Sequence, residues 1–186
     1  GISGIEKSFD RELKLKKALK TTLDSNIQFL IREELIKFQD IFQSIGSASI
    51  LMNVNSGEIL SMVSLPDFDL NKREKIEDKN YINRVTKAVY ELGSVFKTFT
   101  LANALNEGKV KIDTEFKNLP KKIRCAGKSI GEYDEKIPSD LTAEEILVRS
   151  GNIGSVRIGQ KIGSNKMKNF LENLGVLNKI QFDLEE

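Results

Sequence analysis

Two residues in "YELGSVFKTFTLANAL" (90–105) have the types and spacing for nucleophilic chemistry: Ser94 and Lys97. Placed at the start of a helix, residues three apart share one face, so the hydroxyl and the amine can meet. A lysine flanked by Phe96 and Phe99 is open to desolvation. Desolvation lowers its pKa and frees a neutral amine to act as a base toward serine. Ser94 would also lie at the positive end of the helix dipole, among free backbone N–H groups. The bland reading of the same letters is a serine cap and a lysine snorkelling to solvent.

The rest of the composition narrows the alternatives. The 186 residues contain no histidine, which excludes a Ser-His-Asp triad and histidine-ligated zinc. A single cysteine, Cys125, rules out an intrachain disulfide and reads as an incidental loop thiol. Acid–base work near neutral pH must therefore fall to a lysine or a carboxylate. Hydrophobic residues make up 39% and charged residues 30%, the balance of a folded domain. A net charge of +2 gives no electrostatic reason to expect a nucleic-acid partner. No apolar run reaches the roughly 18 residues of a membrane span, and no signal peptide is visible. The abrupt ends suggest an internal piece of a longer protein.

Several elements must position the pair. Residues 1–20 are charged and weakly patterned, and read as a linker. Asp24 or Ser25 caps a helix whose Ile27, Leu30, Ile31, Leu35, Phe38 and Phe42 keep helical spacing, with Gly46 as its end. Strands "ASILMNV" and "EILSMVS" flank a turn at Asn55-Ser56-Gly57, and Pro66 stops the second. Residues 67–82 read as an exposed polar loop, and 83–88 as a short helical stretch. The helix begun by Ser94 runs to about Glu107 and closes at Gly108. Residues 109–140 show no sustained periodicity and read as an irregular excursion with one short strand. Three helical pieces follow: "LTAEEILV", opened by a capping box from Thr142 to Glu145; "IGSVRIGQKIG"; and "SNKMKNFLENLG", capped by Ser164 and ended by Gly175.

The break between the first two pieces, Ser150-Gly151-Asn152, puts a serine and an amide on one short loop. S-x-x-K followed by S-x-N is the ordered motif set of penicillin-binding proteins and class A β-lactamases. The flanks "LDSNIQ", "NVNSGEILSMVSLPDFDLN", "NR" at 83–84, "YELGSVFKTFTLANALNEGKV" and "LTAEEILVRSGNIGSVRIG" resemble a class B penicillin-binding protein. The likeness runs over the whole chain and is strongest to the septal, cell-division-specific enzymes. It implies an α/β fold of α+β type, part of the transpeptidase fold shared with serine β-lactamases: a helical subdomain plus the first strands of an antiparallel sheet. Residues 1–20 would be a linker or the end of an N-terminal pedestal domain, and 21–186 the N-terminal part of the transpeptidase domain.

The resemblance further implies that Ser94 is acylated, Lys97 is its general base, Ser150 relays a proton to the leaving D-alanine, and Asn152 binds the peptide amide. The substrate would be a D-alanyl-D-alanine stem peptide, with β-lactams as mimics and no metal or organic cofactor. Divisome membrane proteins would be partners of an intact protein on the periplasmic side of the inner membrane. Three departures stand out. Leu92 replaces the usual proline of "Tyr-Glu-Pro-Gly-Ser". Glu132 and Asp134 fall where the family usually carries Asp and His. No Lys-Thr/Ser-Gly, the family's third motif, occurs in the sequence. The chain is therefore expected to be inactive alone, and to expose an unpaired sheet edge and an uncovered helix face that invite self-association. A non-catalytic divisome scaffold, or a β-lactam-sensing or hydrolysing relative, are the competing functions.

Overall fold

The structure, a computed structural model, describes residues 4–69, 71, 80, 82–180 and 182–184. It divides into two compact units, residues 1–90 with 182–186 and residues 91–181.

In the first unit, the stretch that reads as a linker carries two short helices, α1 (Gly4–Ser8) and α2 (Asp10–Lys14). The longest helix, α3 (Ser25–Phe42), starts at Asp24, whose carboxylate accepts the N–H groups of Asn26 and Ile27. It stops short of Gly46, because Gln43 takes the left-handed conformation at φ 50° and ends the ladder. Gly46 has another task at the entry to β1: a Cβ there would meet the Leu65 carbonyl at 2.8 Å and the Arg84 guanidinium.

Strands β1 (Ser47–Met52) and β2 (Ile59–Leu65) form an antiparallel hairpin. Ser61, Val63 and Leu65, two apart on β2, are buried on one face. α3 lies against this hairpin through Gln28. Its Nε2 donates to Met62 O at 2.7 Å while its Oε1 accepts from Met62 N and Ser61 Oγ, both at 2.9 Å. One side-chain amide thus does for Met62 what a neighbouring strand would do. Most of the loop expected over 67–82 lies outside the described residues. At 83–88 the expected helix is a turn over 84–87, because Asn83 closes it with its side-chain oxygen on Val85 N–H and its carbonyl on Lys87 N–H.

The second unit opens with a 3₁₀ turn, Gly93–Phe96, that runs into α4 (Lys97–Asn106). The segment read as irregular contains three short strands, β3 (Glu115–Phe116), β4 (Lys122–Cys125) and β5 (Lys128–Gly131). β4 and β5 form a hairpin through Ala126 and Gly127, both at positive φ, and β3 pairs with β6 (Leu141–Thr142). Helices α5 (Ala143–Val148), α6 (Asn152–Ile162) and α7 (Ser164–Asn173) complete the unit. The capping box at Thr142 and Glu145 forms as expected. Ser164 does not cap α7. It is the first helical residue, after Gly163 at φ 84°, and makes no capping hydrogen bond. The core joins Leu101 and Ala104 of α4 to Ile146 of α5 and Ile153, Ile158 and Ile162 of α6, with Val110, Phe116 and Leu119 beneath.

Candidate active site

Each part of the site is placed by a local backbone requirement. Gly93, at φ 54°, turns the chain into the 3₁₀ turn that carries Ser94. The preceding Leu92 has φ −63°, an angle that proline would also adopt, so the departure from the usual proline leaves the backbone path unchanged. Lys97, one turn later, begins α4. Phe96 and Phe99 pack ring to ring beside it, 5.3 Å between centroids.

Ser150 sits at the end of α5. Its N–H bonds Leu147 O, the Gly151 N–H bonds Ile146 O at 2.8 Å, and its φ is 53°. This is the paired hydrogen-bond pattern that closes helices around a left-handed residue, a position where glycine is usual and a serine is strained. The strain turns both the carbonyl and the hydroxyl of Ser150 toward Lys97. Asn152 opens α6 two residues later.

Lys97 Nζ bridges the two motifs. It donates to Ser150 O at 2.6 Å, Ser150 Oγ at 3.0 Å and Asn152 Oδ1 at 2.6 Å. The amine is half-buried. Burial holds its pKa below the usual lysine range, and the negative charge of Glu132 opposes that shift. Ser94 is exposed, and among the described residues no hydrogen bond joins its Oγ to Lys97. Lys97, Ser150 and Asn152 thus form one hydrogen-bonded cluster, with Ser94 one turn away along the same segment.

Spacing alone gives no role to Glu132, the residue after β5. Its Oε2 accepts from Asn152 N at 2.7 Å and its Oε1 from Ile153 N at 3.0 Å. Gly131 O accepts Asn152 Nδ2 at 2.8 Å. Asp134 is not part of the cluster: its side chain accepts from Lys136 N and closes its own turn. Cys125 is a free thiol in β4.

Residues 47–186 match the penicillin binding protein transpeptidase domain, and the chain belongs to that family. Over its full length it is 28% identical to a protein of Caulobacter vibrioides named probable peptidoglycan D,D-transpeptidase FtsI, of which it covers 32%. It is 30% identical over 83% of its length to the probable peptidoglycan D,D-transpeptidase PenA of Neisseria gonorrhoeae, covering 26% of that protein. The chain therefore spans about a third or less of the length of these curated relatives. Among solved structures, 83% of the chain superposes on 42% of the TP domain of Burkholderia pseudomallei penicillin-binding protein 3, with TM-score 0.68 and 26% identity. A peptidoglycan glycosyltransferase structure from Burkholderia ambifaria gives TM-score 0.69 at 25% identity, over 84% of the chain and 45% of that protein. The mixed helix-and-strand fold is that of part of a penicillin-binding transpeptidase domain.

Proposed function

We propose that the chain carries the acylation half of a peptidoglycan D,D-transpeptidase that cross-links stem peptides during cell division. The observation that carries this reading is the Lys97 ammonium seated on Ser150 and Asn152, 53 and 55 residues away, one turn from Ser94. In its neutral form Lys97 takes the Ser94 hydroxyl proton. The Ser94 oxygen bonds to the penultimate D-alanine carbonyl carbon, and the proton passes through Ser150 Oγ to the terminal D-alanine nitrogen as the peptide C–N bond breaks. Asn152 holds the peptide amide. A neighbouring stem amine then displaces Ser94 and completes the cross-link. The names of the FtsI relatives support the division role. A periplasmic site with a membrane anchor elsewhere in the protein, and divisome partners, follow from the same reading. Among the described residues no helix is long and apolar enough to cross a membrane. We assign residues 1–20 to a linker or the end of an N-terminal pedestal domain, and 21–186 to the first part of the transpeptidase domain.

The missing Lys-Thr/Ser-Gly strand supplies, in the family, the carboxylate site and one N–H of the oxyanion hole. One oxyanion donor is worth roughly 10²–10³ in rate. The 186 residues alone are expected to label weakly with a fluorescent penicillin. A longer form reaching that motif should be labelled covalently at Ser94, seen by intact mass and lost in Ser94→Ala. An unlabelled longer form would defeat the reading and favour a scaffold role; strong labelling of the short chain would defeat the need for the third motif.

A further inference from the structure

The residue that caps helix α6 is Gly151, which offers no side chain to do so. The first turn of a helix leaves N–H groups unpaired, and here the Glu132 carboxylate takes two of them, those of Asn152 and Ile153. A carboxylate also suits the positive end of the α6 dipole. Its neighbour Gly131 accepts from the Asn152 amide nitrogen, which leaves Asn152 Oδ1 facing Lys97. The β4–β5 hairpin therefore grips Asn152 by its backbone and by its side chain. Lys121 anchors the far side of the same segment: its carbonyl accepts from Glu132 N–H, and its amine donates to the carbonyls of Glu135 and Ile137.

We infer that Glu132 is a positioning residue of this site, one that lies outside both motifs and holds the Ser150–Asn152 turn so that its oxygens meet Lys97. The inference rests on the roles given above to Lys97, Ser150 and Asn152. Glu132 does not touch the reacting atoms; it acts through Asn152 and through its charge. The groups bonded to Lys97 are a carbonyl, a hydroxyl and an amide, all neutral. Lys128, Asp134, Arg149 and Arg157 stand on the surrounding segments, and it is the Glu132 charge that opposes the effect of burial on Lys97. That charge favours the protonated amine. Removing it leaves desolvation unopposed, so Lys97 must lose its proton at a lower pH.

The test uses the full-length protein with Glu132→Gln, Glu132→Asp and Glu132→Ala. Two readouts are followed: titration of Lys97 Cε by carbon NMR, and the rate of acylation by a fluorescent penicillin across pH. In Glu132→Gln the Lys97 titration and the acid limb of the acylation profile both move to lower pH, while the plateau rate falls by up to about 100-fold, as a small misplacement of a catalytic group can cost. Glu132→Asp keeps the charge and restores the titration, with part of the rate. Glu132→Ala lowers the rate at least as far as Glu132→Gln. An unmoved Lys97 titration in Glu132→Gln overturns the inference, whether or not acylation changes. So does a loss of rate that only follows a lower melting temperature. Because the titration is read without penicillin, a wild-type protein that fails to acylate would sink the transpeptidase reading and leave this test intact.

Discussion

The strain at Ser150 separates what the fold requires from what the chemistry requires. Left-handed backbone costs a non-glycine residue roughly 1–2 kcal/mol, and glycine escapes that cost. A sequence under selection for helix termination alone would place glycine at position 150. Serine is there, and its hydroxyl lies 3.0 Å from Lys97 Nζ. We expect Ser150→Gly to be more stable than Ser150→Ala by about 1 kcal/mol, since alanine keeps the strain and loses the hydroxyl. Both should lose penicillin acylation to a similar extent. Chemical denaturation of the two variants measures the first claim. Equal stabilities would mean that the backbone at 150 relaxes, and full acylation by either would remove Ser150 from the proton path. At this scale the sequence was informative: motif order and the family resemblance single out Lys97, Ser150 and Asn152, which the structure joins by hydrogen bonds, and Ser94 one turn away. The hydrogen-bond pattern was not foreseen, since helical spacing pairs Lys97 with Ser94 and the structure bonds it to the second motif.

The same turn depends on how closely α5 and α6 approach. A Cβ on Gly154 would fall 2.5–2.8 Å from three side-chain carbons of Ile146, which is 1% exposed and packed on all sides. That clash has no flexible partner to yield, so Gly154→Ala must push α6 outward by its first turn, where Asn152 sits. Overpacking of this kind costs about 1–3 kcal/mol. The variant should melt lower and acylate more slowly, and the paired change Gly154→Ala with Ile146→Ala, which removes all three clashing carbons, should recover part of the acylation rate. No recovery would place the damage elsewhere. Helices with strong caps were readable from the sequence: Asp24 and the Thr142–Glu145 box start α3 and α5 where expected. The β4–β5 hairpin was not, because its turn uses Ala126 at φ 49°, a residue that carries no turn signal. Glu132 stood out as a departure from the family, but without that hairpin its place beside Asn152 could not be read. The end of α3 was misplaced for the opposite reason: Gly46 looks like a helix stop, and is needed for close approach of the strands.

At the scale of the whole molecule, the unit containing residues 1–90 keeps a large apolar surface uncovered. On α3, Phe29, Leu30, Ile41 and Phe42 are each 60–70% exposed, and Phe38 stacks on Phe42 at 6.1 Å. Beside them β1 is paired only with β2 among the described residues, so its outer edge offers free N–H and C=O groups. Fully burying one such side chain contributes about 1.5–3 kcal/mol. Four of them together are comparable to the 4–15 kcal/mol lost when two molecules associate. The balance predicts weak, concentration-dependent self-association of the 186-residue chain, not a tight dimer. Sedimentation across a wide concentration range should show the apparent mass rising, with a dye for apolar surfaces bound at low concentration and displaced as mass rises. Replacing Ile41 and Phe42 with serine should return the chain to monomer without lowering its melting temperature, since neither side chain contributes to the core. A wild-type chain that stays monomeric and binds no dye would mean that α3 is covered in solution by part of the same chain.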